Sequence, residues 1–348
     1  MKKVLIGMSG GVDSSVAALI LKNQGYEVVG ATFKLWGNND SSNERDITDA
    51  ADICKTIGID HIILDYREIF KKEVIDYFVS EYNRGRTPNP CVICNKKIKF
   101  EAFLNKAYEL GFDFIATGHY AQKKFCEETG RYSLLQGESD KKDQSYVLYS
   151  LTQEQLKHTL FPIGEYSKEQ VRKIAKENNL LVSNKPDSQD ICFIPDGDYA
   201  RFLNKYTGSS CPKGNFIDLD GNILGQHLGL WHYTIGQRKG LGMAFGKPMF
   251  VAAISPENNS VTLADDNQIF CDTLYTEEAN LIEVDKITEP TRVFTKIRYS
   301  HRKAPSTIYP MENGGVKVIF DEPQRAITKG QAAVFYIENR VFGGAIIK

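Results

Sequence analysis

The sequence predicts an α/β protein in three parts: a parallel-sheet domain over residues 1–204, a small linking domain over 205–270 and a β-barrel over 271–348. Three observations carry this. Strand-like and helix-like segments alternate over residues 1–120, which calls for a parallel sheet with right-handed crossovers. Helical periodicity stops near residue 205, and Asp220-Gly221 and Asn258-Asn259-Ser260 then mark turns between short alternating runs. From 271 onward the pattern is that of about six short strands, among them 293–299, 315–320, 332–337 and 341–347. A chain of 348 residues is long enough for this division, and 42% hydrophobic with 25% charged residues is a globular composition.

The elements follow in order. Val4-Leu5-Ile6 is a short apolar run suited to a buried strand, and 16–21 reads as a helix packed back on the sheet. Between them lies a polar turn, Ser9-Gly10-Gly11-Val12-Asp13-Ser14-Ser15. Strand, glycine turn and helix together aim backbone N–H groups at an anion. The glycines permit close backbone approach, and Asp13 is placed to hold a metal ion or to cap the helix. Further strands are expected at 28–34, 61–65 and 112–116, and helices at 46–57, 67–83 and 95–110, with Gly58 and Gly111 as stops. Residues 121–137 read as a hairpin insert turning at Glu128-Thr129-Gly130, and 137–145 as a polar loop. Capping boxes, Thr152 with Gln155 and Ser167 with Gln170, open helices at 152–158 and 167–178. Ligands of parallel sheets sit at the carboxyl ends of the strands, so the glycine turn, the segment after Phe33 and Thr117-Gly118-His119 share one edge.

Several function classes are excluded. No lysine follows the glycines as a Walker A loop requires, and the turn is not G-x-G-x-x-G. No apolar run approaches the ~20 residues of a membrane span. The stretch MKKVLIGMSGG is too short in apolar residues for a signal peptide, so a cytoplasmic protein is expected. A net charge of −1 leaves any polyanion to local patches: Lys96-Lys97-Lys99, Lys141-Lys142, Arg238-Lys239 and Arg298 to Lys303. Seven cysteines, an odd number, argue against a disulfide scaffold. Cys54 falls mid-helix as a core residue, and Cys126, Cys211 and Cys271 have no partner at metal spacing.

Cys91, Cys94 and Cys192 differ. Thr87-Pro88-Asn89-Pro90-Cys91-Val92-Ile93-Cys94-Asn95 reads as an extended loop, stiffened by two prolines, that delivers a C-x-x-C pair onto a helix start. The helix N-terminus with Lys96 and Lys97 is expected to favour thiolates. A second polar loop, 186–193, carries Cys192. SGGVDSS resembles the pyrophosphate-binding loop of the ATP pyrophosphatases, whose domain is of the adenine nucleotide α-hydrolase-like kind. With TPNPCVICN, ATGHY, KDQSY, DSQDICF and YTIGQRKGL in this order, nearly the whole chain resembles the tRNA-specific 2-thiouridylases.

The resemblance implies ATP-dependent replacement of the C2 oxygen of a wobble uridine in tRNA by sulfur, with AMP and pyrophosphate as by-products. A urea-like carbonyl is a poor electrophile, so adenylation of its oxygen creates a leaving group and a sulfur nucleophile completes the exchange. It further implies that Gly7, Met8, Ser9, Gly10, Gly11, Val12, Asp13 and Ser14 hold ATP with Mg2+, and that Phe33 and Gly118 contact the rest of the nucleotide. Cys94 matches the nucleophile and Cys192 the persulfide carrier, with Asn89, Pro90 and Cys91 facing the target base. His119, Lys142, Asp143, Gln144, Arg298, Tyr299 and Gln331 match tRNA contacts. A cysteine desulfurase or a sulfur-relay protein would supply sulfur. One departure stands out: many family members carry aspartate where this chain has Cys91. Cys91, Cys94 and Cys192 therefore also suit three-thiolate ligation of a four-iron four-sulfur cluster, or a structural zinc site, besides the persulfide relay. Two other readings remain: an amide-forming ligase acting on a small molecule, which keeps only the adenylating loop, and a non-catalytic RNA-binding protein, which the intact SGGVDSS opposes.

Overall fold

The computed structural model describes residues 1–37, 41–139, 142–180 and 191–348. Lys141 and residues 186–190 of the second cysteine loop, both singled out above, lie outside the described residues. The N-terminal domain begins with β1 (Lys3–Gly7), β2 (Glu27–Lys34), β3 (Asp60–Asp65), β4 (Phe114–Ala116), β5 (Ala121–Cys126), β6 (Arg131–Gln136) and β7 (Thr159–Leu160). Five of these form a parallel sheet in the order β3-β2-β1-β4-β7. β1 is central, and Val4, Leu5 and Ile6 are fully buried because helices cover both faces. Leu5 points into one core with Phe100, Phe103 and Ile115, while Val4 and Ile6 point into the other with Val16, Leu21 and Cys54. The chain runs outward from β1 to β2 and β3, then returns to the other side of β1 as β4. The carboxyl ends of β1 and β4 therefore flank a topological switch point, where such sheets open a crevice.

Two helices depart from expectation. The helix at 67–83 has a π-wound middle, Lys71–Ile75. The helix after the proline-rich segment begins at Pro90 and not at Asn95, and its stretch Asn95–Ala102 is π-wound. The reason is local: Asn89 is an N-cap whose side chain accepts from the Cys91 N–H at 3.1 Å, and Pro90 occupies the first helical position. There proline's fixed φ suits the helix and its missing donor costs nothing. Both expected capping boxes are present, at Thr152 and Ser167. Phe193 packs with Phe70, Phe78 and Phe202, with ring centroids 5.7, 5.6 and 5.2 Å away, so the chain just after Cys192 is anchored between 67–83 and the helix Tyr199–Thr207.

The linking domain pairs β8 (Gly214–Ile217), β9 (Ile223–His227), β10 (Phe250–Ser255) and β11 (Ser260–Ala264) in the order β10-β11-β8-β9. The C-terminal strands are β12 (Phe270–Glu278), β13 (Asn280–Leu281), β14 (Thr291–Lys296), β15 (Ala304–Pro310), β16 (Gly315–Arg325), β17 (Ala332–Ile337) and β18 (Arg340–Ile346). They run β12-β16-β15-β14-β17-β18, and the barrel closes where Thr276 bridges Ile347 and Lys348 N–H donates to Tyr275 O at 2.9 Å. The hairpin β5–β6 turns near Gly130, as expected, but it is no mere insert. β6 pairs with β18 at Leu135 and Arg340, so an N-terminal hairpin extends the C-terminal sheet. Among the described residues no helix is long and apolar enough to cross a membrane.

Asp143 locks this junction. It is 4% exposed, and its carboxylate accepts from Gly137 N, Ser145 N, Ser145 Oγ and Gln136 Nε2 at 2.9–3.1 Å. Asp143→Ala strands these donors in the interior. It is expected to lower unfolding free energy by about 2–4 kcal/mol, read as a reduced urea midpoint with an unchanged slope; a loss below about 1 kcal/mol would show that the junction does not depend on this carboxylate.

Candidate active site

The phosphate loop leaves β1 at Gly7, and Met8 N–H is held by Ala31 O at 2.8 Å. Gly10 has φ +67°, and a Cβ there would stand 2.9 Å from Asp46 O. Gly11 caps the helix Val12–Asn23 in an extended conformation with no side-chain cap, leaving first-turn N–H groups facing the crevice. Ser14 and Ser15 hydroxyls brace the turn by donating to Gly11 O at 3.2 and 2.8 Å. Gly118, just past β4, comes so close that an added Cβ would lie 2.7 Å from Ser14 N. Phe33, at the end of β2, faces Gly7 and packs on Phe103 and Tyr66 at centroid distances of 4.8 and 5.4 Å. The residues expected around the nucleotide thus surround the switch point. Asp13 is not the helix cap: its carboxylate accepts from Lys168 Nζ at 2.8 and 2.9 Å and from the Tyr120 hydroxyl at 2.6 Å. Neither partner was legible as such, being 155 and 107 residues away.

Cys91 and Cys94 occupy the first turns of the helix beginning at Pro90, and the Phe193 anchor brings Cys192 to them. Cys91 and Cys192 reach solvent, yet all three thiols sit in a recess that crowds out most of the surrounding water. Burial pushes Cys94 up to about 12, opposed by Lys99 and reinforced by Cys192 and Cys91. Burial likewise pushes Cys192 up to about 11, with Cys91 adding and Lys99 opposing, and raises Cys91. The expectation of resting thiolates is therefore corrected: the recess desolvates them more than the helix end and cations can offset. Lys97 is paired with Glu101 at 3.1 Å, and Lys99 is the cation that acts on all three thiols. The π winding explains why the sequence hid this. Residues five apart align on a wider helix, so Lys99 falls over Cys94, which α-helical spacing would not allow.

The residues expected to touch tRNA divide. Tyr299 is 42% exposed, and its hydroxyl is raised by burial and by Asp143 and Cys91, so it faces the thiol recess. Lys296 Nζ lies 5.4 Å from the Tyr299 ring and 5.6 Å from that of Tyr146. Lys142 is half-buried, and its N–H donates to Ser139 O at 2.9 Å. His119, in contrast, is 7% exposed and bonded to Thr117 Oγ1 at 2.8 Å; burial, then Lys99, holds its imidazole well below the usual range. Asp143 is buried as described, and Gln144 Oε1 accepts from Tyr120 N at 2.9 Å. Arg298 Nη2 donates inward to Thr328 Oγ1 at 2.7 Å, Ile235 O at 3.3 Å and Ala326 O. Gln331 Nε2 donates to Thr87 O at 2.7 Å, and Thr87 N–H donates to Lys329 O at 2.9 Å. These five residues make internal contacts within the protein.

Among the described residues no group of three His, Cys, Asp or Glu side chains is arranged to hold one ion. The Asp13 carboxylate is engaged by the Lys168 ammonium. Two shallow concavities of about 380 and 330 Å³, at 238–249 and at 196–200 beside Trp231, are lined by neither the phosphate loop nor the three cysteines.

Three family models match end to end: a tRNA methyl transferase HUP domain over residues 2–196, a tRNA methyl transferase PRC-barrel domain over 200–265 and an aminomethyltransferase beta-barrel domain over 271–347. The full-length relatives speak of sulfur. The chain is 52% identical to the tRNA-specific 2-thiouridylase MnmA of Clostridioides difficile (strain 630), covering 100% of this chain and 98% of that protein. It is 51% identical to the protein of the same name in Acetivibrio thermocellus, covering 100% and 99%. Among solved structures, a 4-thiouridine synthetase–RNA complex with bound ATP matches 57% of this chain and 46% of that one, at 19% identity and a TM-score of 0.37.

The thiol recess can be probed without substrate. Alkylation of Cys94 by iodoacetamide, followed by peptide mass spectrometry, is expected to keep accelerating beyond about pH 10, where an ordinary thiol of pKa ~8.5 has levelled off. Lys99→Met is expected to slow it at every pH. A plateau near pH 9 would show that the recess does not hold the proton.

Proposed function

The chain belongs to the tRNA-specific 2-thiouridylases and is a tRNA-modifying sulfurtransferase; on that premise we propose how its own residues carry out the reaction. ATP binds with its phosphates on the N–H groups of Gly7 to Ser14 and with Phe33 and Gly118 against the rest of the nucleotide. Mg2+ enters with those phosphates as part of the substrate complex. The wobble uridine is flipped into the recess lined by Asn89, Pro90, Cys91 and Tyr299. Its O2 attacks the α-phosphorus, and pyrophosphate leaves with the electron pair of the broken bond. A persulfide on Cys192 adds through its terminal sulfur to C2, and AMP departs with the former O2. Cys94 then attacks Cys192 Sγ, its thiol proton passing to the departing thiouridine while Lys99 offsets the charge that appears on sulfur. The sulfur–sulfur bond of the adduct breaks, 2-thiouridine is released, and a Cys94–Cys192 disulfide remains. A thiol reductant restores both thiols, and a cysteine desulfurase or sulfur-relay protein of the cytoplasm reloads Cys192.

The observation that supports this most is the placement of one helix. The helix from Pro90 carries Cys91 and Cys94 at its start, and further along it packs Phe100 against His119 and Phe103 against Phe33. The nucleotide crevice and the thiols are thereby built on a single rigid element. The raised thiols suit a persulfide relay: a protonated thiol does not attack the activated base, whereas a persulfide is more acidic and stays nucleophilic at neutral pH. The amide-ligase alternative leaves three facing thiols and a closed barrel without use.

Purified chain supplied with ATP, tRNA and a persulfide donor is expected to give 2-thiouridine on nucleoside mass spectrometry, with AMP release dependent on tRNA. Cys94→Ser, Cys192→Ser and Asp13→Ala are each expected to reduce product by at least a hundredfold, about 2.7 kcal/mol in barrier height. Full product from any of them would sink the role given to that residue, and AMP release without RNA would favour the ligase.

A further inference from the structure

The glycine loop carries no lysine of its own, yet a buried lysine stands beside it. Lys168 is 7% exposed, and its Nζ lies 2.8 and 2.9 Å from the two carboxylate oxygens of Asp13. It is also 5.8 Å from the ring centroid of Tyr120, whose hydroxyl donates to the same carboxylate. Two things set this pair apart from an ordinary surface bridge. Lys168 is the first residue of the helix Lys168–Glu177, where the positive end of the helix dipole opposes a cation. Its ammonium is also withdrawn from water to meet a carboxylate that is itself 32% exposed, an exchange that a folding role alone repays poorly. Asp13 lies in the first turn of Val12–Asn23, one residue before the Ser14 that Gly118 abuts. The ammonium is therefore held at the mouth of the same crevice that presents the loop's N–H groups.

We propose that Lys168 is a cationic member of the ATP site, pairing with Asp13 when the site holds no nucleotide and facing the β- and γ-phosphates when ATP is bound. It does for this loop what a lysine inside the loop does for a Walker-type site, neutralising the pyrophosphate as it takes up the electron pair. The Asp13 carboxylate holds the ammonium in place while the phosphates are absent. The inference rests on the nucleotide reading of the loop given above.

Calorimetric titration of the full-length chain with ATP tests it. Lys168→Met is expected to weaken ATP binding by at least tenfold, Lys168→Arg to restore most of it, and tRNA affinity to stay within twofold. The double variant Asp13→Asn/Lys168→Met is expected to bind ATP no better than Lys168→Met. If Lys168→Met fails to fold, as judged by thermal melting, Lys168→Gln makes the same comparison while keeping a hydrogen bond to Asp13. ATP affinity unchanged in these single variants, or recovered in the double variant, would overturn the proposal, because the lysine would then serve only to neutralise Asp13. Failure of the unaltered chain to bind ATP would overturn the nucleotide reading itself and the lysine's role with it.

Discussion

A backbone-to-backbone approach governs this molecule. At Gly118 the chain leaving β4 comes against the first turn of Val12–Asn23 so closely that a single methyl group would meet Ser14 N at 2.7 Å. That contact brings the two sides of the switch point together, and the segment 117–120 owes its course to it. His119 turns inward to Phe100, and the Tyr120 hydroxyl reaches Asp13. Tyr120 N and O in turn bind Gln144, which leads to Asp143 and the hairpin β5–β6. The phosphate loop, the cysteine helix and the junction with the barrel are thus linked through four consecutive residues.

A second set of contacts holds the cysteine helix from the opposite direction. Thr87 is gripped by Lys329 and Gln331 of the barrel, and its hydroxyl lies 3.4 Å from that of Thr234 in the linking domain. Arg86 reaches Glu277 at 2.8 Å and Ile347 O at 3.1 Å. Three domains therefore converge just ahead of Pro90. A helix start fixed in this way presents Cys91 and Cys94 at a constant angle, which an extended loop would not do.

The parallel sheet, its helices, the capping boxes and the nucleotide-facing residues were legible because each leaves a local signature: glycine at a turn, apolar runs, serine or threonine three residues before glutamine. What escaped was set by tertiary contact. β12 and β15 carry too mixed a pattern to stand out, and β7 is two residues long. The π winding that aligns Lys99 with Cys94 has no sequence signature, and the polar residues Asp143, Gln144, Arg298 and Gln331 looked like surface groups until their internal partners were seen. Asn89-Pro90 could have been read as an N-cap and first helical position; the two prolines drew attention to extension instead. The thiols' elevated proton affinity depends on crowding from Phe193 and its neighbours, a hundred residues from the C-x-x-C pair.

The strand pairing between β6 and β18 sets a timetable for synthesis. Residues 1–204 contain the elements of the parallel sheet, but the edge of their hairpin is completed by a strand encoded almost at the end of the chain. At ordinary elongation rates of about 5–20 residues per second, β6 leaves the ribosome roughly 10–40 s before β18 exists to cover it. During that interval a row of backbone donors and acceptors stands open to any passing strand. The nascent chain must therefore be kept soluble by the exposed charges of this hairpin, Lys124, Glu127 and Glu128, until the last residues arrive.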